Sequence, residues 1–322
     1  LTMPLHIDTP LIQSRRLSLL ADKSVWLKFE ALQPSGSFKL RGVGAACEEY
    51  ARQGKTRFVS SSGGNAGLAV AYAGRLLRIP VTVVIPETTP VLAKTLLEQE
   101  GATVIVHGAS WLQANELAQS MLDQSTAFLH PFDNPLMWTG HASLIDEVVR
   151  AEIEFDSVVL SVGGGGLLSG VVEGLERNGL GKTPVIAVET SGADSFSQAL
   201  RAGKPVALPA ITSVATSLGA NKVAENAFKI AQTHDVRSAV VSDIEALDAC
   251  ESFLHDHRLI VEPACGASLS VLYSPDRREL LSGFESPLVV VCGGATAPLE
   301  KIREWRRAAV EAAAKPEQLT AV

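Results

Sequence analysis

An α/β fold with parallel sheets is predicted from three features of the sequence. Short β-rich runs alternate with helical stretches along most of the chain. The runs VVLSV and LVVVC are apolar throughout, as in strands covered by helices on both faces. Neither a solenoid-period repeat nor a Pro/Ser-rich linker interrupts this alternation.

The elements follow in order. Residues 25–30 read as a strand and 40–53 as a helix. Residues 57–60, 81–85 and 103–106 are short runs rich in β-branched residues, read as strands, and helices are expected at 66–77, 91–100 and 111–123. A further helix follows Phe132 and runs through 143–152. Then come a strand at 157–162, a helix at 167–177 and a strand at 185–189. The last elements are helices at 243–256 and 267–272, a strand at 288–292 and a helix at 299–314.

The chain has 322 residues, a length that suggests about two domains. It is 46% hydrophobic, enough for two cores. One group of units lies within 35–134, and the rest, 1–34 plus 135–322, forms the other. A net charge of −7 argues against a nucleic-acid partner, which needs a basic face. No apolar run approaches a membrane span. Pro4, His6 and Asp8 stand where a signal peptide would be basic and then apolar, so none is expected. Cys47, Cys250, Cys265 and Cys292 form no CxxC, which favours a reducing, cytoplasmic setting. The tail at 315–322 is expected to fray.

Four segments carry chemistry. SVGGGGLLSG (161–170) follows an apolar strand and opens a helix. Its glycines let successive N–H groups point inward and cradle a phosphate. Gly163 and Gly165 fit a dinucleotide fingerprint, but its last glycine is replaced by Leu168. Glu189 could hold a ribose, so a nicotinamide reading stays open. QPSGSFKLRG (33–42) places Lys39 where a turn becomes a helix, with Ser35 or Ser37 as its cap. The helix dipole and partial burial there lower an amine toward a nucleophile. SSSGGNAG (60–67) offers hydroxyls and free N–H groups suited to a carboxylate. VVVCGGAT (289–296) brings Cys292 to the end of a buried strand, beside an expected crevice. A lysine nucleophile, a phosphate cradle and a carboxylate loop together point to pyridoxal 5'-phosphate acting on amino acids.

Taken together, PSGSFKLRG, SSGGNAG, PFDNPLMWTGHASL, SVGGGGLLSG, ITSVATSLGA and VEPACGASL make the chain resemble the serine dehydratases. These L-serine/L-threonine ammonia-lyases have the tryptophan-synthase-β-like, type II pyridoxal-phosphate fold. The resemblance runs from Thr9 to about Arg303 and implies two domains, each an open, mostly parallel twisted sheet flanked by helices. By that resemblance Lys39 is the Schiff-base lysine, and Phe38 packs on the cofactor ring. Asn65 bonds the ring's phenolic oxygen, and Gly163, Gly164, Gly165, Gly166 and Leu167 cup the phosphate. Cys292 stands by the pyridine nitrogen as a neutral thiol, which favours prompt loss of the leaving group. Ser62, Gly63, Asn65 and Ala66 take the substrate carboxylate, and Phe132 lines the substrate side. Glu189, with the carbonyls of Gly163, Ala193, Leu218 and Ala220, matches a monovalent-cation site, taken as potassium. A homodimer is the family's expected assembly.

The resemblance implies that Lys39 also removes the Cα proton, giving pyruvate and ammonia from serine and 2-oxobutanoate and ammonia from threonine. No Asp or Glu falls in the four loops, so the leaving hydroxyl's proton is expected from the cofactor phosphate. Serine racemases carry a serine acid/base where Gly63 stands, so elimination without racemisation is expected. The chain departs from the family in having Ala295 and Thr296 after Cys-Gly-Gly. On this length, the C-terminal regulatory domain of biosynthetic threonine deaminases is not expected. β-Replacement, as in cysteine synthases, is the alternative within this cofactor class. His255 and His257 lie on different sides of a helix and do not suggest a metal. His141 reads as a packing or polar-network residue, and Arg303, Arg306 and Arg307 as a solvated helix face.

Overall fold

The computed structural model describes residues 3–314. The chain begins β1 (Leu11–Gln13), α1 (Arg15–Ala21), β2 (Trp26–Lys28), a 3-10 turn at Glu30–Leu32, and α2 (Lys39–Arg52). It continues β3 (Arg57–Ser60), α3 (Asn65–Leu77), β4 (Val81–Ile85), α4 (Val91–Gln99), β5 (Thr103–Val106), α5 (Trp111–Ser120), β6 (Thr126–Phe128) and α6 (Pro135–Arg150). Next come β7 (Ser157–Ser161), α7 (Gly166–Arg177), β8 (Val185–Thr190), α8 (Ser195–Ala202), a 3-10 turn at Thr216–Leu218, α9 (Glu225–Thr233) and β9 (Val236–Val241). The last are α10 (Asp243–His257), α11 (Pro263–Tyr273), a 3-10 segment at Pro275–Leu281, β10 (Pro287–Val290) and α12 (Leu299–Ala314).

Two sheets result. The larger has the order β1-β2-β10-β7-β8-β9, parallel except for β1, and the smaller is the parallel set β5-β4-β3-β6. In the larger sheet the chain steps outward from β7 to β8 and β9, then returns to place β10 on the other side of β7. In the smaller it steps from β3 to β4 and β5, and β6 returns on the other side of β3. Each sheet thus has a reversal point, and crevices open outside the carboxyl ends of strands at such points. The loops after β7, β10, β3 and β6 contain the glycine cradle, Cys292, the carboxylate loop and Phe132 respectively.

Local chemistry explains where the helices begin. Asn134 accepts from Leu136 N ahead of Pro135, and Ser242 and Glu245 form a reciprocal capping box. The expected cap of α2 is not found. Its first residue follows Phe38, no side chain caps it, and the Ser35 and Ser37 hydroxyls are buried without partners. The strand expected at 25–30 stops at Lys28, because Glu30 turns into a 3-10 segment that delivers its carboxylate to a buried cluster. The elements β1, α1, β6, α8, α9 and β9 were not anticipated. The strands β1 and β6 are only three residues long, and β9 is an edge strand of mixed burial, so neither run length nor apolarity marks them. The expected fraying tail lies outside the described residues.

The buried cluster ties α2 to the larger sheet. Arg41, wholly buried, donates to both Glu30 oxygens at 2.6 and 2.8 Å and to both Glu147 oxygens at 2.5 and 2.8 Å. Lys28 also pairs with Glu147 and donates to Thr9 O at 2.6 Å. Burial alone would raise the Glu147 carboxyl, but hydrogen bonds and charge from Arg41, then Lys28, outweigh it and hold the group at about 2. A carboxyl lowered from 4.5 to about 2 on folding adds stability that is complete above the unfolded value and is lost as pH falls through the folded one. Urea midpoints measured from pH 6 down to pH 2 should therefore fall most steeply below 4.5. The Glu147→Gln variant should be weaker throughout and lack this share of the slope; an unchanged slope would assign it to other acids.

Candidate active site

Lys39 opens α2, and the chain before it is laced to the end of the larger sheet. Phe38 N donates to Cys292 O at 3.2 Å, Gly294 N donates to Gly36 O at 2.9 Å, and Ser37 bridges Gly293. Gly36, at φ 82°, leaves no room for a side chain, since a Cβ there would lie 2.9 Å from that of Ala295. Lys39 Nζ donates to Pro131 O at 2.6 Å, in the loop after β6. Burial lowers its amine to about 8, with Cys292 and Glu262 pulling the other way. At neutral pH an appreciable fraction is therefore the free base, and Lys39 meets the need for a nucleophile and proton acceptor.

The cradle between β7 and α7 fits a phosphate. The amide N–H groups of Gly163, Gly164, Gly165, Gly166, Leu167 and Leu168 have no backbone acceptor among the described residues, and the N-terminus of α7 stands behind them. Side chains cannot replace the glycines. A Cβ on Gly164 would sit 2.2 Å from the Phe132 ring, and Gly165 holds φ 91° against Ala227. In the loop before α3, the N–H groups of Gly63, Asn65 and Ala66 likewise lack backbone acceptors, and Ser62 Oγ faces Gly64 N at 3.4 Å. That cluster suits a carboxylate. Phe132 meets the cradle and Lys39 meets the Phe132 loop, so these expected residues converge on one cleft. The orphaned amides fit pyridoxal 5'-phosphate at one end and an amino acid's carboxylate at the other.

The remaining expected residues are placed as follows. Cys292 is buried, and a hydrogen bond with Cys265, then desolvation, holds its thiol well above its ordinary value, hence neutral. Gly163 packs on Leu218, where its Cβ would lie 2.9 Å from Leu218 Cα. Glu189 is buried and caps α8, accepting from Phe196 N at 2.8 Å and Ser197 N at 2.7 Å. Burial raises its carboxyl to about 8 against those bonds. Ala193 bridges Thr190, and Leu218 O accepts from Ala220 N at 2.7 Å. A Cβ on Gly63 would lie 2.8 Å from the Thr89 methyl, so that side of the cleft is filled.

One expectation is corrected. A carboxylate does reach the loops: Glu262, from VEPACGASL, is buried and accepts from Asn65 Nδ2 at 2.7 Å. Its signal was a glutamate directly before a helix-opening proline, which reads as a cap until its side chain is seen to turn away from the helix. His141 is a packing residue and not part of a polar network. It is buried, neither ring nitrogen has a partner, and its ring lies 5.0 Å from that of Phe38. Desolvation, then the charges of Lys39, Arg41 and His6, keep it neutral. His257 stacks on Phe253 at 4.4 Å and meets Ser14 Oγ at 2.9 Å. No metal-holding group of three or more His, Cys, Asp or Glu occurs among the described residues. Arg303 and Arg306 pair with Glu251 and Asp248 of α10. No helix among the described residues is long and apolar enough to cross a membrane.

Comparison with known proteins agrees with this geometry. Residues 2–293 match the family described as pyridoxal-phosphate dependent enzyme. The chain is 48% identical over 309 residues to the human protein named L-serine dehydratase/L-threonine deaminase, covering 93% of this chain and 94% of that one. It is 48% identical over 300 residues to the human protein named serine dehydratase-like, covering 90% and 91%. Among solved structures, a fungal L-serine ammonia-lyase from Rhizomucor miehei superposes with a TM-score of 0.90 at 32% identity, covering 95% of this chain and 99% of that one.

Proposed function

The chain belongs to the pyridoxal-phosphate dependent enzyme family, and from that membership and its site we propose that it deaminates L-serine and L-threonine by β-elimination, the water lost from Cβ being taken up again when hydrolysis releases ammonia. The products are pyruvate and 2-oxobutanoate respectively. The observation that carries the reading is the Lys39 amine, lowered to about 8 and bonded to Pro131 O in the loop whose Phe132 packs on the glycine cradle.

When bound, pyridoxal 5'-phosphate supplies an aldehyde for an amine and a sink for electrons released at Cα. The residues of this chain do the rest. Gly163 to Leu167 would hold the phosphate through their N–H groups, Phe38 would lie against the ring and Asn65 would meet its oxygen. Ser62, Gly63, Asn65 and Ala66 orient the substrate carboxylate, and Phe132 closes the substrate side. Lys39 then takes the Cα proton. Cys292 is a neutral thiol that would hold no proton at the ring nitrogen, an arrangement that would favour loss of the protonated β-hydroxyl as water over storage of charge in the ring.

A monovalent cation, taken as potassium, at Glu189 and the carbonyls of Gly163, Ala193, Leu218 and Ala220 belongs to the same proposal. It is supported by the buried carboxyl of Glu189 and the packing of Gly163 on Leu218. A division into residues 35–134 and the remainder is supported by the smaller sheet, whose strands all lie between those limits. A cytoplasmic homodimer completes the reading, supported in its compartment by four unpaired, buried cysteines.

Purified enzyme should absorb at roughly 410–430 nm, where lysine-bound pyridoxal phosphate absorbs. L-Serine should release pyruvate, L-threonine should release 2-oxobutanoate, and chiral analysis should find no comparable D-serine. Sulfide should not divert serine to cysteine. Cysteine formation exceeding pyruvate would assign β-replacement instead.

A further inference from the structure

Glu262 serves none of the steps above, yet its carboxylate is built into the cleft wall. It precedes α11, whose amides of Cys265 and Gly266 bond its backbone carbonyl, but its side chain makes no bond to that helix's own amides. Oε1 accepts from Asn65 Nδ2 at 2.7 Å, and Oε2 accepts from Thr296 Oγ1 at 3.2 Å. Space is made for it by Gly294, at φ 129°, where a Cβ would lie 2.0 Å from Glu262 Cδ. Thr296 is one of the two residues by which this chain departs from the serine dehydratase pattern, and here its hydroxyl serves Glu262.

These contacts decide which end of the Asn65 amide faces which partner. An amide can turn end for end unless its neighbours discriminate oxygen from nitrogen. Burial raises the Glu262 carboxyl, while hydrogen bonds from Ser217, Asn65 and Thr296 and the Lys39 charge favour its ionised form; that form only accepts, and a backbone N–H only donates. Asn65 Oδ1 takes the Ala295 N–H at 3.0 Å, while Nδ2 gives one hydrogen to Glu262. The nearest other partner of Nδ2 is Ser217 Oγ at 3.4 Å, a long contact that leaves the second hydrogen available to a ligand. Were the amide reversed, its carbonyl would face both Glu262 and the cofactor's ring oxygen, and acceptors would oppose acceptors.

We propose that Glu262 is a positioning residue that locks the Asn65 amide so that a donor is presented to the cofactor's ring oxygen. This rests on the pyridoxal-phosphate reading. The titratable groups that feel its charge are Lys39 on α2, Cys250 on α10 and Cys292 after β10, and none of them is a second carboxylate able to replace it.

The test compares wild-type holoenzyme with Glu262→Gln, Glu262→Asp, Asn65→Ala and the double variant Asn65→Ala/Glu262→Gln. For each, the absorbance band, the cofactor's dissociation constant, and kcat and KM for L-serine are measured. Gln removes the obligate acceptor, whereas Asp keeps a charge ahead of α11 but withdraws it from Asn65, so a variant that folds is secured either way. Both should weaken cofactor binding and lower kcat by roughly 10–100-fold, the scale of a hydrogen bond to a charged group. The band should shift, and KM should move less than kcat. On the Asn65→Ala background, Glu262→Gln should add little, because its effect runs through the missing amide. Full additivity overturns the proposal, as does a Glu262→Gln enzyme whose band, dissociation constant and kcat match wild type within about twofold. A wild type with no band and no cofactor on Lys39 overturns the parent reading together with this one. A wild type with the band and an indifferent Glu262→Gln overturns this one alone.

Discussion

Replacing Lys39 by alanine is expected to abolish the long-wavelength absorbance and to lower pyruvate release at least about 1,000-fold, since one side chain is both covalent anchor and proton acceptor. The fold should survive. The Lys39 Nζ makes one hydrogen bond, to Pro131 O, and its loss breaks no salt bridge among the described residues, removing only the charge that the buried Glu262 feels. Denaturant midpoints of the variant and wild type, both stripped of cofactor, should agree closely. Borohydride reduction of wild type followed by peptide mapping should mark Lys39, and a label on another lysine would refute the assignment. A loss of stability matching the loss of activity would make Lys39 a structural residue instead.

Two positions further along the same helix, Arg41→Ala should have the opposite profile. The guanidinium satisfies Glu30 and Glu147 in a buried cluster, so its removal leaves Glu30 without a cationic partner and Glu147 with Lys28 alone. Breaking one side of a buried ion pair costs about 3–5 kcal/mol. Activity should fall as well, because this cluster seats the first turn of α2 and so the lysine beside it. Arg41→Lys keeps the charge without the planar fork that meets both carboxylates, and should recover only part of the loss. Urea denaturation of the three proteins at pH 7 measures the effect, and a change below about 1 kcal/mol for Arg41→Ala would show that the cluster contributes little net stability.

The parts of the site legible in the sequence are those whose chemistry is local. Four adjacent glycines after a buried strand, a lysine at a helix start and a Ser/Gly loop before a helix each declare a function within ten residues. The resemblance placed Phe132 in the cleft, and the structure seats it on Gly164. What escaped notice depends on pairings distant in the chain. Asn65 and Glu262 are 197 positions apart, and the members of the Arg41 cluster are drawn from positions 9, 28, 30, 41 and 147. A carboxylate read alone gives no sign of whether it faces solvent, a helix end or a buried amide. The secondary structure failed for a related reason: β1 and β6 are too short to display a period, and they exist because neighbouring strands supply their hydrogen bonds.

The two reversal points have a consequence for how such a protein can diversify. The loop proposed to grip the phosphate grows from the six-stranded sheet, and the loop proposed to select the amino acid grows from the four-stranded one. On that reading phosphate and carboxylate are gripped from separate sheets, whereas the ring between them is reached from both, by Lys39 and Asn65 on one side and Cys292 on the other. Substitutions at residues 61–63 that spare Asn65 can therefore try out new clientele while the phosphate end of the prosthetic group stays moored, so innovation in one loop need not begin by losing the other's cargo.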